Sequence, residues 1–300
     1  MKTLYYVCAV VGILLLAYSV VTVLLAKSIV LPKTLSLEEE RAWIAEHNLQ
    51  GNYDTYQKED YQIVLQDGYT IHATLVKAEE LNSQKYVIIS HGFRSNRNGN
   101  IKYTDVYHSL GYHVISYDVR GHGQNAKTKV SLGNQESADL LTIIEDAYQR
   151  FGVNIELGLH GESMGSAISL SVLAKTQNLR FVVADCGFSN LYDLIYGAYK
   201  ENHIAFLMPG VYFANKFING IDMQKTSPID ALTNNTVPVL FIHGAEDTFI
   251  RSFHSERIAE QNPSFDRLQL VPNAGHAQSR EVLGIASYTA FIKDFLENIQ

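Results

Sequence analysis

The chain has 300 residues, 46% of them hydrophobic and 18% charged, enough to bury a sizeable core in one domain with sequence to spare. A formal net charge of −7 without a Lys/Arg cluster excludes the basic surfaces that bind nucleic acid. The two cysteines, Cys8 in an apolar run and Cys186 in the globular part, predict no disulfide.

From Thr3 to Ala26 no charged residue occurs. The run exceeds the roughly 20 residues that a membrane-spanning helix needs. A cleaved signal peptide would have an apolar region of about 7–15 residues and a small-residue cleavage site. Leu24-Leu25-Ala26-Lys27 is a poor match to such a site, and the run lacks the polar face of a buried amphipathic helix. Residues 1–30 are therefore expected to form a single-pass membrane anchor. Lys2 precedes the span, and Lys27, Lys33 and Arg41 follow it. That count favours a cytoplasmic C-terminal side but leaves the side of the following domain, extracytoplasmic or not, unassigned.

Residues 31–52 read as a stalk. Pro32 ends the first helix, and Ser36 is a candidate N-cap with Glu38, Glu39 and Glu40 in the first turn of a second. A globular domain is expected over 53–300. Tyr61–Leu65 and Tyr69–Val76 are strand-like around a Gln66-Asp67-Gly68 turn. Short apolar runs follow at Lys85–Ser90, Tyr112–Tyr117, Glu156–Leu159, Phe181–Ala184, Val239–Ile242 and Leu268–Val271. Such runs suit parallel strands covered on both faces. Helical stretches alternate with them at Ile101–Leu110, Gln135–Phe151, Met164–Lys175, Phe253–Gln261 and Arg280–Asn298. The fold class is α/β: a mostly parallel, doubly wound sheet opened by an antiparallel hairpin. Between about 189 and 228 no strand is expected, and the stretch is rich in aromatic residues. A long connection of this kind in an α/β domain is usually functional, and it reads as a short helical cap.

Gly161-Glu162-Ser163-Met164-Gly165 follows a strand and opens a helix, the setting of a nucleophile elbow. The glycines stand where a Cβ would clash in a tight turn. A serine hydroxyl needs a base to take its proton. Asp247, in the loop after Phe241-Ile242-His243-Gly244, and His276, after Val271-Pro272-Asn273-Ala274-Gly275, both follow strands and follow the serine in the required order. All three then lie at the same carboxyl edge of the sheet, with Asp247 orienting His276 and His276 activating Ser163. Glu246 and Asp185 are the competing acids, and Asp185 reads better as a hydrogen-bonded turn residue. The oxyanion of an acyl transfer needs donors. The backbone N–H of Met164 and that of Phe93, in Ser90-His91-Gly92-Phe93-Arg94-Ser95, are the candidates, with His91 as a buried turn residue. Asp118 and Arg120, in Tyr117-Asp118-Val119-Arg120-Gly121-His122-Gly123, are expected to pin that loop by charged hydrogen bonds. No histidine pair has metal-ligand spacing, so no metal and no cofactor are expected.

These motifs, with His243-Gly244-Ala245-Glu246-Asp247 and Gly275-His276, stand in the order of the α/β-hydrolase superfamily. The chain resembles its serine aminopeptidase-type branch, which includes bacterial membrane-anchored hydrolases with a short cap. The resemblance covers about Tyr61 to Gln300. It implies a serine hydrolase acting through the triad Ser163, Asp247 and His276. The apolar cap and the anchor point to a carboxylic ester with an apolar, lipid-like acyl group. An aminopeptidase, amidase or thioesterase is the alternative, because this fold hosts all of them. An aminopeptidase would need a carboxylate in the pocket for the substrate amine, with Glu162 and Glu201 available. A non-catalytic binding module conflicts with an intact triad.

Overall fold

Alternating apolar residues on either side of Gln66-Asp67-Gly68 pair as the sequence pattern requires. In the computed structural model, which describes residues 1–261 and 267–299, β1 (Lys58–Val64) and β2 (Thr70–Val76) run antiparallel, with Ile63 opposite Ile71. Gly68, at φ +81°, donates to the Leu65 carbonyl at 2.9 Å and closes the turn. The remaining strands are β3 (Lys85–Ser90), β4 (His113–Tyr117), β5 (Glu156–Glu162), β6 (Phe181–Asp185), β7 (Val239–Gly244) and β8 (Arg267–Val271). β3 to β8 are parallel, and the eight-stranded order is β1-β2-β4-β3-β5-β6-β7-β8. β5 runs on to Glu162, beyond the end expected at Leu159, because its backbone keeps pairing with β6 as far as Asp185.

β4 and β6 are buried at every position, as strands covered on both faces must be. One face is covered by α4 (Asn134–Phe151) and α5 (Met164–Ser171), the other by α3 (Ile101–Ser109) and α10 (Ser279–Asn298), with separate apolar clusters on the two sides. α9 (Phe253–Ala259) lies between β7 and β8, and α10 is interrupted at Gly284. The sheet changes direction of winding at β3, which is flanked by β4 and β5. In open α/β sheets the crevice at that switch point, beyond the carboxyl ends of the strands, is where ligands bind.

Between β6 and β7 the chain forms α6 (Leu191–Glu201), α7 (Met208–Phe213), a π-helical turn at Ala214–Asn219 and α8 (Pro228–Ala231), with no strand among the described residues. Asn190 caps α6 by accepting from the N–H groups of Tyr192 and Asp193. Glu201 at the far end of α6 pairs with Arg251, in the loop after β7, at 2.7 Å.

The N-terminal helix α1 (Lys2–Val30) is long and apolar enough to cross a membrane. Its first half is exposed, whereas Thr22, Ala26 and Val30 are buried against the domain. Residues 31–52, expected to be a stalk, are instead folded onto the domain. α2 (Leu37–Glu46) has the expected Ser36 cap, completed as a capping box with Glu39. The segment before it is fastened by backbone groups: Leu35 N–H donates to the Arg94 carbonyl, and Asn96 Nδ2 donates to the carbonyls of Leu35 and Ser36. Ile44 of α2 is buried with Leu49 and Ile101. Ile44 is the one aliphatic anchor of a short, charged helix, so sequence periodicity signalled little of this packing.

Glu40, on the buried face of α2, is 6% exposed, and its Oε2 has no hydrogen-bond partner among the described residues. Burial pushes its carboxyl up to about 7. The folded protein therefore holds this proton where the unfolded chain has released it. Stability is greatest below the ordinary carboxylate pKa and declines as pH rises toward 7, by up to about 3 kcal/mol from this group. Glu40→Gln is expected to flatten that decline and to raise the unfolding free energy at pH 8. Urea unfolding of both proteins at pH 5 and pH 8 measures the difference, and an equal decline in the two would refute it.

Candidate active site

Ser163 sits between the end of β5 and the start of α5 with φ +56° and ψ −116°, a sparsely populated conformation for a residue with a side chain. The turn closes only because its neighbours lack a Cβ. A Cβ on Gly161 would lie 2.1 Å from the Gly165 carbonyl oxygen, and one on Gly165 would lie 2.0 Å from that of Ser90. The serine is thereby held up at the carboxyl edge beside the N-terminus of α5. The Met164 N–H, first in that helix, is one of its orphan donors. Gly92 brings the β3 loop against the elbow, since a Cβ there would stand 3.5 Å from the Ser163 Cβ. Among the described residues the Phe93 N–H donates to no backbone or side-chain acceptor.

The three residues drawn from separate loops meet. His276 Nε2 lies 2.9 Å from Ser163 Oγ, and its Nδ1 lies 2.7 Å from Asp247 Oδ2. Asp247 Oδ1 accepts from the N–H groups of Phe249 and Ile250. Burial alone would push the Asp247 carboxyl up. The His243 imidazole close by and the hydrogen bond from His276 outweigh it and hold the group well below the usual carboxylate range. His243 in turn has Nδ1 on Ser255 Oγ and Nε2 on the Ile250 carbonyl, both at 2.7 Å. The Phe249 ring stands edge-on to the His276 ring, with centroids 4.9 Å apart. Asp185, the competing acid, lies elsewhere: it is buried, accepts from Tyr288 Oη at 2.7 Å, and is pushed up to about 6 by burial.

The supporting loops are tied as their charges suggested. Asp118 is fully buried and accepts from the Arg97 backbone and guanidinium and from Gln124 N–H. Arg120 grips Asp139 with two bonds of 2.7 and 2.8 Å. His91 is buried, with Nδ1 on the Gly92 carbonyl and Nε2 accepting from Val119 N–H.

A cavity of about 660 Å³ opens beside His276. Its walls are Leu35, Glu40 and Trp43 from the N-terminal segment, Lys102 and Glu162 beside the elbow, and part of α10. The connection between β6 and β7, expected to be a short cap, does not line it. Glu162 accepts from Tyr103 Oη and pairs with Lys102 at 2.6 Å, and Lys102 also pairs with Glu281 at 3.1 Å. Burial opposes the charge on this amine, but the carboxylates of Glu162 and Glu281 outweigh it and hold its pKa up. Sequence reasoning missed Lys102, Glu40 and Cys186. The Cys186 sulfur is buried with the ligand atoms of Asp247 and His276 all within 4.8 Å of one another. The one signal for Cys186 was its place directly after the β6 run.

Residues 82–187 match the family model described as serine aminopeptidase, S33. The chain is 28% identical over 258 residues to protein YqkD of Bacillus subtilis, covering 84% of each. It is 25% identical over 206 residues to the lysophosphatidylserine lipase ABHD12 of Rattus norvegicus, covering 62% of this chain and 48% of that one. The esterase Pf2001 of Pyrococcus furiosus superposes with a TM-score of 0.65 at 20% identity, over 83% of this chain and 95% of that one. The chain thus has the α/β-hydrolase fold, and the segment that carries its Ser163 elbow matches the serine aminopeptidase family S33.

Proposed function

We infer that the protein is a serine hydrolase that cleaves carboxylic esters with apolar, lipid-like acyl groups, anchored in a membrane by α1. The observation that carries this reading is the Ser163–His276–Asp247 chain of hydrogen bonds at 2.9 and 2.7 Å. His276 Nε2 takes the Ser163 proton as Oγ attacks the acyl carbon. The Met164 and Phe93 N–H groups receive the oxyanion, and His276 then protonates the leaving oxygen. Water, deprotonated by the same imidazole, releases the acyl group from Ser163. Asp247 stays ionised and keeps the imidazole oriented. The helical connection between β6 and β7 serves as a cap, tied to the site's edge by Arg251 and Glu201. The names of the esterase and lipase relatives support an ester substrate.

The S33 match favours a second reading, an aminopeptidase or amidase. Its amine would need a free carboxylate. Glu162 and Glu281 share Lys102, Glu201 is taken by Arg251, and Glu40 holds its proton near neutrality. The ester reading needs no such group.

The full-length protein in detergent, assayed on nitrophenyl esters of rising acyl length and on an aminoacyl anilide, tests the choice. Ester turnover that rises with chain length is expected. Anilide turnover exceeding ester turnover would sink the ester reading.

A further inference from the structure

Beyond catalysis, the packing of α1 assigns a position for the rest of the molecule. The stretch Lys2–Ala17 is exposed at every position, and cover begins at Tyr18. At 1.5 Å per residue that free stretch is about 24 Å long, short of the roughly 30 Å of a bilayer's hydrocarbon core. If α1 spans the bilayer, the reading given above, about a turn more of the helix must lie inside. That turn is already occupied. Tyr18 Oη donates to the Phe206 carbonyl and accepts from the Gly210 N–H, both at 3.1 Å. Gly210 lies so close to α1 that a Cβ would stand 2.6 Å from Thr22.

We propose that the exposed aromatic face of α7 and its flanking turns is seated in the bilayer, with Phe206 deepest. Phe206, Phe213, Phe217 and Ile218 are each between 57 and 66% exposed, an apolar patch that water disfavours. The patch runs along α1 in a definite sense. Phe206 and Gly210 lie level with Tyr18, while Asn219 at the other end accepts from Lys129, next to Val130, whose N–H meets the Val30 carbonyl. Depth therefore decreases from Phe206 through Phe213 to Phe217. Lys27, Lys127 and Lys129 lie near the outer end of α1, where headgroup phosphates would receive them; Lys127 reaches Thr34, just past α1. Asp222 at that end is paired with Lys216 at 2.8 Å. The occupant of the patch is the lipid itself, since the same helix that crosses the membrane is packed against it.

The test uses the full chain in phosphatidylcholine nanodiscs. Trp43, the single tryptophan, is replaced by phenylalanine, and one tryptophan is returned at Leu14, Phe206, Phe217 or Val153. All four positions are exposed, and Val153 precedes β5 at the opposite edge of the sheet. Dibrominated phosphatidylcholine quenches tryptophan by contact. Loss of fluorescence is expected at Leu14 and Phe206, a smaller loss at Phe217 and none at Val153. Quenching at Leu14 with none at Phe206 would overturn the proposal and leave the span intact. No quenching at Leu14 would remove the span and the proposal together. The readout is independent of turnover, so it holds whatever ester the enzyme prefers.

Discussion

Ser163→Ala is expected to lower kcat/KM on esters by about 10⁴-fold or more while leaving the fold in place. Alanine retains the side-chain Cβ that the elbow already accommodates and removes only Oγ and its bond to His276. The positive-φ backbone at Ser163 and the close approach of Gly161 and Gly165 beside it are unchanged. Unfolding free energy is therefore expected to change by no more than about 1 kcal/mol, the net worth of one hydrogen bond. Asp247→Asn should cost a similar factor for a different reason. An amide donating toward His276 Nδ1 favours the tautomer that leaves a proton on Nε2, facing the serine. The double variant should be no slower than Ser163→Ala alone, because the two act as one unit. Ser163→Ala protein retaining more than about a thousandth of wild-type turnover would refute the nucleophile assignment.

Asp118→Ala is expected to have the largest effect on stability, about 3–5 kcal/mol, the usual cost of stranding one partner of a buried ion pair. Against a total stability of about 5–15 kcal/mol, that is enough to bring the protein near unfolding at room temperature. Asp118 is 0% exposed, and its carboxylate receives Arg97 and Gln124. With it gone, the Arg97 guanidinium remains buried with bonds only to Thr74 and Gln124. The loop it anchors includes Phe93 and is fastened to residues 33–36, so loosening it should also reduce kcat. Chemical denaturation measures the first effect. An Arg97→Ala/Asp118→Ala double variant should cost less than the sum of the singles, as expected for groups in contact. Strict additivity would mean that the pair is not coupled.

The supporting structure explains why three loops converge so well. Ser163 is held by a backbone that only glycine neighbours permit, Asp247 by the N–H groups of Phe249 and Ile250, and His276 by hydrogen bonds to both Ser163 and Asp247. Each restraint comes from hydrogen bonds or sterics within a rigid sheet edge, so the site is preorganised without bound substrate. The cavity beside His276 is walled in part by Glu40 and Trp43 of α2, so the chain between α1 and the domain is packed next to this sheet edge.

The meeting of Ser163, Asp247 and His276, the elbow and the strand order were legible in the sequence because each rests on local rules. A strand of continuous apolar residues, a G-x-S-x-G turn and loops following strands place Ser163, Asp247 and His276 at one sheet edge before any contact is known. The pins at Asp118 and Arg120 were legible as charges in a glycine-rich loop, but their partners Arg97 and Asp139 were not, since nothing local relates those positions. The place of Asp247 in a loop after a strand favours it over Asp185 from sequence, while only the tertiary structure shows what Asp185 does instead, accepting from Tyr288 Oη on distant α10. Tertiary structure alone packed α2 onto the domain, through buried Ile44 and Glu40 and through hydrogen bonds from the Asn96 and Asn98 side chains to backbone carbonyls, which carry no sequence signature. It alone laid the second half of α1 along α7, where Tyr18, Thr22, Ala26 and Val30 form a stripe that uniform hydrophobicity hides. The sequence determines what is buried and which chemistry is available; long-range packing determines which of those groups meet, because contact between distant segments depends on shape and not on local pattern.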